Sequence, residues 1–307
     1  MWERHGLSMR IVAGIDGGGT GTTLELLDNS GKFIERRKFG PFNVNSIGEE
    51  RFRELLREIF DFINTVGECE AICIGAAGIS NPAVKSIISE VSREKKFTGK
   101  LLLKGDHEIA LYGAMSGKSG SILIAGTGSI CTGITENGKT ARAGGWGHLI
   151  DDVGSGYALG RDALTAIVRA QDGRGVKTVL TELVGKAWKA ENISQLIAET
   201  YSTADKSHIA SLSPLVEQAG RQGDVAALAI IEKNAEELTE LAAAVYRQLG
   251  KKELEISLLG GLLSHETLLR EKFIRALSIK LPEMKVKEPD MDASAGAALW
   301  AFRMNME

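Results

Sequence analysis

The sequence predicts an α/β protein of two domains with similar topology, and three observations support this. The chain has 307 residues, the length of about two domains of roughly 150 residues each. Short apolar segments alternate with amphipathic helical segments, which is typical of α/β architectures. Each half also contains a strand, a turn of glycine with threonine or serine, a second strand, and the sequence NSGK or ENGK. This repeat indicates an internal duplication.

In the first half, short apolar or alternating runs bounded by glycine-containing turns predict the strands. They lie at residues 10–15, 23–27, 33–39, 71–74 and 101–103, after a loose leader expected at residues 1–8. The segment 51–66 predicts an amphipathic helix, because apolar residues recur every three or four positions while arginine and glutamate fill the other face. Asn81-Pro82 marks the start of a second helix, and further helical sequence covers residues 109–115.

In the second half, strands are predicted at residues 121–125, directly after the turn at 126–129, and at 255–259. Helices are predicted at residues 158–170, 225–249 and 293–304. Strands therefore alternate with helices in both halves.

Composition excludes several classes of protein. The chain is 43% hydrophobic and 25% charged, which excludes a disordered chain, a fibre and a disulfide scaffold. Its net charge of −3 gives no reason to expect a nucleic-acid or membrane partner. The sequence lacks an apolar run of about 18 residues for a membrane span and a secretory signal. We expect a cytoplasmic protein whose three cysteines are reduced thiols.

The first candidate site is the turn after the first strand. It consists of Asp16, Gly17, Gly18, Gly19, Thr20, Gly21 and Thr22. Consecutive glycines let backbone N–H groups point into one concave spot, which suits a phosphate. The two threonines add hydroxyl donors, and Asp16 offers a hard oxygen ligand for Mg²⁺, direct or through water. A glycine-rich hairpin that binds nothing is the alternative, and it requires neither the acid nor the threonines.

The second candidate site repeats this arrangement in the second half. It consists of Gly126, Thr127, Gly128 and Ser129. Alone this turn is a weak signal, but as the counterpart of the first turn it predicts a pair of phosphate-binding hairpins. Two such hairpins facing each other across a cleft form a clamp for the polyphosphate of a nucleotide.

Two other segments resemble known motifs without matching them. Residues 113–119 end in Gly-Lys-Ser but are one residue short of a P-loop and follow helical sequence, not a strand. Cys69 and Cys73 have no matching pair of cysteines elsewhere, which argues against a metal or cluster site.

The motifs DGGGTGT, GAAGIS, AGTGS, GGWGHLIDDVGSGYALG and LLGG occur in this order, with Asp106 after a strand. Together they resemble the N-acetylglucosamine kinase and BadF-type ATPase family, within the sugar kinase/actin/heat-shock ATPase superfamily. The resemblance covers the chain from about Met9 to Ala301. It implies two duplicated ribonuclease H-like (actin-like ATPase) domains with a nucleotide cleft between them. The expected domains are residues 9–116, completed by a C-terminal helix within 290–307, and residues 117–289.

The resemblance also implies cofactors and residue roles. ATP and Mg²⁺ are the expected cofactors, with Asp16 at the metal and its water shell and Asp106 as the catalytic base. The two glycine turns are expected to bind the phosphates, and Gly260, Gly261 and Leu262 the adenosine.

The residues implied for sugar binding are Asn43, Asp106, Thr127, Gly145, Trp146 and Asp152. Trp146 either packs on a pyranose face or belongs to the core. Val153 and Ile130 stand where the family often has glutamate and a polar residue, respectively. These departures leave the identity of the sugar open.

The sequence therefore predicts an ATP-dependent kinase that phosphorylates an amino sugar at the C6 hydroxyl. N-acetylglucosamine is the first candidate substrate, with glucosamine, N-acetylmuramic acid and plain hexoses left open, and recovery of cell-wall amino sugars is the expected context. A homodimer through the second domain is a family expectation. The alternatives are a BadF-type activator ATPase of a dehydratase and a sugar sensor without catalytic activity.

Overall fold

The structure is a computed structural model that describes residues 9–202, 205–250 and 253–306. The predicted leader at residues 1–8 lies outside the described residues. The chain divides into two compact units. The first unit runs up to Ser119 and resumes at Pro289, and the second unit is Gly120–Glu288.

The first unit is one five-stranded sheet with helices. Its elements are β1 (Arg10–Gly17), β2 (Thr22–Asp28), β3 (Phe33–Phe39), α1 (Val44–Ile47), α2 (Glu49–Val66), β4 (Glu68–Ala76), α3 (Pro82–Glu94), β5 (Lys100–Lys104), α4 (Asp106–Ala114) and α12 (Ala293–Met306). The strand order is β3-β2-β1-β4-β5. Strand β1 pairs antiparallel with β2 and parallel with β4.

The second unit contains another five-stranded sheet. Its elements are β6 (Gly120–Ala125), β7 (Ser129–Ile134), β8 (Thr140–Gly144), α5 (Gly156–Gln171), α6 (Leu180–Trp188), α7 (Ile193–Ser202), α8 (Lys206–Ala210), α9 (Ser213–Arg221), α10 (Val225–Leu249), β9 (Leu254–Leu259), α11 (Leu268–Lys280) and β10 (Met284–Lys287). The strand order is β10-β9-β6-β7-β8. Strand β6 pairs antiparallel with β7 and parallel with β9. The two sheets therefore share one topology, which confirms the duplication expected from the sequence.

The hairpins NSGK and ENGK also repeat in detail. In the first, the Gly31 N–H donates to the Asp28 carbonyl at 3.0 Å, and Gly31 has a φ of 82°. In the second, the Gly138 N–H donates to the Thr135 carbonyl at 3.0 Å, and Gly138 has a φ of 80°. Positive φ favours glycine, so the shared turn geometry explains the glycine at each position.

The predicted amphipathic helix packs its apolar face into the core of the first unit. The buried residues of α2 are Phe52, Leu55, Leu56, Ile59, Phe60 and Ile63. They pack with β-strand residues such as Ile15, Leu24 and Ile72. In the second unit, α10 buries the stripe that includes Ile231, Leu238, Ala242 and Val245. Both stripes follow the helical period, which confirms the sequence interpretation.

The C-terminal helix α12 packs closely against β1 and α4. A Cβ atom on Gly14 would lie 2.0 Å from the backbone nitrogen of Ala298. A Cβ atom on Gly296 would lie 2.5 Å from the backbone nitrogen of Gly113 on α4. Only glycine permits backbones to approach so closely. Gly113 therefore has a packing role, and residues 113–119 form the end of a helix and a turn, not a P-loop.

Candidate active site

The first glycine turn joins β1 to β2 in a tight hairpin. Gly17 pairs with Thr22 at the end of the ladder, and the Gly18 N–H donates to the Gly21 carbonyl at 2.9 Å. Gly19 and Thr20 form the exposed tip. Their backbone N–H groups donate to no backbone carbonyl in the described parts of the chain. The tip can therefore present donors to an anion.

Thr22 differs from Thr20. Its side chain is buried, and its Oγ1–H donates to the Gly40 carbonyl at 2.7 Å. This hydroxyl proton is already used, so the geometry gives Thr22 a role in holding the turn to the segment after β3. Among the two threonines, Thr20 is the one whose exposure suits contact with a phosphate.

Asp16 is the partly buried penultimate residue of β1 and lies near two other carboxylates. Burial, followed by repulsion from Asp106 and Asp292, raises the pKa of Asp16 to about 6. A divalent cation would relieve this repulsion, so the acid fits the water shell of Mg²⁺. In the residues that the structure describes, no three His, Cys, Asp or Glu side chains form a cluster that could hold a metal ion.

Asp106 is the first residue of α4, immediately after β5 and Gly105. Its side chain is about half exposed, at 54%, and its Oδ1 accepts from the His107 N–H at 2.9 Å. Partial burial raises the pKa of Asp106, but the hydrogen bonds from the His107 side chain and backbone outweigh it, and the net shift is downward. The carboxylate is therefore ionised and open on one side, as a group that accepts a hydroxyl proton must be.

Asp292 was not predicted from the sequence as a site residue. It precedes α12, and its Oδ1 accepts from the Ala295 N–H at 2.9 Å. Its Oδ2 lies 2.7 Å from an Arg36 nitrogen on β3. The same arginine pairs with the buried Glu25 on β2. Arg36 thus connects Asp292 to the sheet that contains Asp16.

The second glycine turn joins β6 to β7 and is held by the start of α5. The Gly126 N–H donates to the Gly128 carbonyl at 2.9 Å. The Gly126 carbonyl accepts from the Gly156 N–H at 2.8 Å, and the Thr127 carbonyl from the Tyr157 N–H at 3.4 Å. These bonds fix the carbonyl groups toward the helix. In the described residues, the N–H groups of Thr127 and Gly128 donate to no backbone carbonyl.

Asp152 lies beside this turn in an ion pair with Lys206. The Asp152 side chain is 4% exposed, and its Oδ2 accepts from Lys206 Nζ at 2.7 Å. Its Oδ1 lies 3.4 Å from the Ser129 N–H. The sequence singled out Asp152 but not Lys206. In this structure the carboxylate faces protein groups, and its contact with a sugar stays a prediction.

The predicted adenosine loop follows β9 and lies against the second turn. Gly260 has a φ of 83°, and a Cβ atom on it would lie 2.4 Å from the Ala125 carbonyl oxygen. The Leu262 N–H donates to that same carbonyl at 3.1 Å. Gly261 faces open space, with no heavy atom within 4 Å of a Cβ position. A flat group can therefore approach the backbone there.

The predicted sugar loop carries an exposed tryptophan. Trp146 is 63% exposed, which excludes the alternative that it belongs to the core of its unit. The Arg142 guanidinium lies 4.2 Å from the centre of its ring and donates to the Gly145 carbonyl at 2.6 Å. One face of the indole is thus covered by arginine, and the ring is held at the surface.

Asn43, the predicted sugar contact in the first unit, directly precedes α1. It lines a small cavity of about 80 Å³ together with Phe42, Ala76, Asn81 and other residues. The cavity lies between the loop after β3 and the loop after β4.

The three cysteines are free thiols in the structure, with Cys73 and Cys131 buried and Cys69 partly buried. Burial raises the pKa of Cys69 and of Cys73 to about 12 each. The described residues include no helix with the length and apolar character needed to cross a membrane.

Comparison with known proteins identifies the family. Residues 13–301 match the profile of the BadF/BadG/BcrA/BcrD ATPase family. An N-acetylmuramic acid/N-acetylglucosamine kinase from Clostridium acetobutylicum is 36% identical, over 95% of this chain and 98% of that protein. An N-acetyl-D-glucosamine kinase from Dictyostelium discoideum is 30% identical, over 96% of this chain and 99% of that protein.

Solved structures agree on the fold. A candidate N-acetylglucosamine kinase from Chromobacterium violaceum superposes with a TM-score of 0.72 at 25% identity, covering 96% of this chain and 99% of that one. A ROK family glucokinase from Streptomyces griseus, solved with glucose and AMPPNP, has a TM-score of 0.60 at 16% identity and covers 95% of this chain and 98% of that one. These neighbours establish the two-domain actin-like ATPase fold.

Proposed function

The chain belongs to the BadF/BadG/BcrA/BcrD ATPase family, and we propose that it transfers the γ-phosphoryl group of ATP to the C6 hydroxyl of an amino sugar. The observation that carries this is the match, over 95% of the chain, to a relative named as an N-acetylmuramic acid/N-acetylglucosamine kinase. N-acetylglucosamine is the proposed substrate, and N-acetylmuramic acid and glucosamine are the other members of the class. Recovery of cell-wall amino sugars is the proposed context.

Phosphoryl transfer depends mainly on positioning and on stabilisation of charge. We assign the tip of the first turn, Gly19 and Thr20 with the flanking Gly17 and Gly18, to the phosphates. Asp16 would hold the water shell of Mg²⁺, which neutralises charge on the phosphate oxygens when it is bound. This assignment is supported by the exposed donors of the tip and by the carboxylates around Asp16.

Asp106 is the proposed base. Its lowered pKa makes it a weak base toward a free alcohol, so its first task is to accept a hydrogen bond from the sugar hydroxyl and aim its oxygen. The proton would transfer late, as the hydroxyl oxygen loses electron density to phosphorus. The half-exposed carboxylate at the start of α4 supports this role.

The second unit is proposed to bind both the phosphates and the adenosine. We assign the turn Gly126, Thr127, Gly128 and Ser129 to the phosphates, and the loop Gly260, Gly261 and Leu262 to the adenosine. The Leu262 N–H donates to the carbonyl of Ala125, the residue directly before the turn, so one strand end positions both segments.

Sugar contacts are proposed for Asn43, Asp106, Thr127, Gly145, Trp146 and Asp152. Trp146 has the exposure that stacking on a pyranose ring requires. Val153 and Ile130 replace polar residues of the family pattern and leave fewer acceptors for sugar hydroxyls, so they are the positions at which to test specificity.

No observation favours the activator or sensor alternatives. An activator of the BadF type needs cysteines that bridge a cluster at an interface, whereas Cys73 and Cys131 are 0% exposed. The three free thiols support our proposal of a cytoplasmic location. A homodimer stays a prediction.

The position of the transferred phosphate tests the proposal. Purified protein is incubated with MgATP and N-acetylglucosamine, and the product is examined by ³¹P and ¹H NMR. We expect phosphorus coupling to the C6 protons and no product from 6-deoxy-N-acetylglucosamine. A phosphate at C1, or turnover of the 6-deoxy sugar, would contradict transfer to C6.

A further inference from the structure

Lys206 forms an ion pair with Asp152, the carboxylate beside the second glycine turn. In the described residues it is the only cation paired with this carboxylate. It begins the short helix α8, far along the chain from both the turn and Asp152. Its side chain is 29% exposed, so the ammonium is partly shielded from water. Neither the sequence motifs nor the site assignments above give it a role.

Gly128 is packed against this ion pair. A Cβ atom on Gly128 would lie 2.7 Å from Lys206 Nζ and 3.0 and 3.1 Å from the two carboxylate oxygens of Asp152. The missing side chain therefore makes room for the lysine and the aspartate. The ion pair therefore lies against the backbone that is proposed to bind phosphate.

The position of Lys206 is fixed by helix packing. A Cβ atom on Gly160 of α5 would lie 2.0 Å from the Ile209 carbonyl oxygen of α8. The Gly156 N–H at the start of α5 donates to the Gly126 carbonyl of the turn. The turn, α5 and α8 thus form one connected framework that carries the lysine.

Lys206 compensates the negative charge of the buried Asp152 side chain. A carboxylate that is 4% exposed and has no cation partner is strongly disfavoured. It would also repel a polyphosphate bound at the neighbouring turn, because like charges a few ångströms apart interact strongly where water is scarce. The ammonium at 2.7 Å neutralises the carboxylate and removes that repulsion.

We propose that Lys206 is a positioning residue for nucleotide phosphate, which neutralises Asp152 beside the Gly126–Ser129 turn so that the turn can accept an anion. This inference rests on the proposed use of ATP at that turn. The lysine acts by its charge, through Asp152 and the backbone of the turn.

Binding of AMP-PNP with Mg²⁺, measured by calorimetry on the full chain, tests the proposal without any sugar. Lys206→Gln keeps a hydrogen-bond donor toward Asp152 but removes the charge, and we expect it to weaken AMP-PNP binding by about tenfold or more. Adenosine lacks phosphates, so its affinity should stay within about threefold of wild type.

A double variant separates charge from packing. Adding Asp152→Asn to Lys206→Gln removes the uncompensated carboxylate, so AMP-PNP affinity should return to within about threefold of wild type. Lys206→Arg keeps the charge and should also bind normally. If Lys206→Gln does not fold, the double variant, which is neutral at both positions, carries the comparison, and AMP-PNP binding weakened by more than about threefold in it would overturn the proposal.

Lys233→Met is the matched control. Lys233 also pairs with a largely buried aspartate in the second unit, Asp162, at 2.8 Å, but it lies on α10 and should leave AMP-PNP affinity unchanged. Wild-type affinity in Lys206→Gln, or a double variant that binds no better than the single one, would overturn the proposal. If the wild-type protein does not bind AMP-PNP, the use of ATP is rejected. If it binds the nucleotide but does not phosphorylate a sugar, only the kinase function is rejected.

Discussion

Arg36 on β3 holds Asp292 at the start of α12 by an ion pair of 2.7 Å. The same guanidinium pairs with the buried Glu25 of β2, so one arginine links the sheet of the first unit to the terminal helix. This pairing compensates Asp292. In the described residues, Asp16 has no ion-pair partner of its own. Its burial raises its pKa, and repulsion from Asp106 and Asp292 raises the pKa further.

Replacing Asp16 should therefore separate activity from stability. We expect Asp16→Asn to lower kcat by about 10³-fold, because the metal shell loses its anchor. The metal-free protein should become more stable by about 1 kcal/mol, because a buried, repelled carboxylate is removed. Activity and thermal unfolding without Mg²⁺ measure the two effects. Asp61→Asn, at an exposed acid of α2, is the control, and more than a tenth of wild-type activity in Asp16→Asn would contradict the metal role.

The catalytic role of Asp106 gives a second prediction. Asp106→Asn should lower kcat by about 100-fold or more, the usual size of a base effect, while AMP-PNP affinity stays within about threefold. Steady-state kinetics and calorimetry on one preparation check both values. A loss of less than about tenfold would show that another group accepts the proton.

How closely the sequence predicts the elements depends on their burial and on local signals at their ends. Helix α10 has the predicted bounds, Val225–Leu249, because both ends carry capping signals. The Asp224 side chain accepts from the Ala227 N–H at 2.9 Å, and Gly250 closes the helix with a φ of 70°. Strands β8 and β10 were not predicted because they are short, at five and four residues, and lack an apolar run. Helices α6 and α7 bury only one or two residues each, so their periodicity is weak.

Which site residues the sequence predicts depends on whether their signal is local or comes from a partner distant in sequence. The glycine turns follow strands and carry local patterns. Asp106 follows a strand and matches the catalytic base of the family that the chain resembles, so the sequence alone singles out all three. Lys206 and Asp292 become visible only in the structure, because their partners Asp152 and Arg36 are distant in sequence and no local spacing encodes these pairs. The use of the Thr22 hydroxyl by Gly40 is a further long-range contact that the motif does not reveal.

Docking of the terminal helix on β1 should be sensitive to a single methyl group. Gly14→Ala should destabilise the protein by about 3 kcal/mol, because the new Cβ would lie 2.0 Å from the Ala298 backbone nitrogen and neither backbone can easily move. Chemical denaturation measures the change. Gly40→Ala, where a Cβ meets no heavy atom within 4 Å, is the matched control. Equal stability of the two variants would contradict the close packing.

The thiols should be unreactive in the folded protein. Burial raises the pKa of Cys69 and Cys73 from 9.0 to about 12, so they remain protonated at pH 8.5, and the thiolate is the reactive form. Alkylation by iodoacetamide should be about 100-fold or more slower in the folded protein than in denaturant, followed by mass spectrometry. Rapid labelling of either cysteine without denaturant would contradict their burial.

The same shift fixes the direction of the pH dependence. The unfolded chain loses these protons above pH 9, whereas the folded chain keeps them to about pH 12. Ionisation therefore favours the unfolded state, and the contribution of these thiols to stability falls as pH rises through this window. Cys69→Ser/Cys73→Ser should show a shallower loss of stability between pH 9 and 11 in denaturation curves, and an equal loss would contradict the shift.

The most direct test of the central claim is ADP release from MgATP in the presence of single sugars. The panel is N-acetylglucosamine, glucosamine, N-acetylmuramic acid, glucose and N-acetylmannosamine. We predict turnover that depends on an amino sugar, is greatest with N-acetylglucosamine, and is lost in Asp106→Asn. ADP release at the same rate with every sugar and with none, or no release at all, would contradict an amino-sugar kinase.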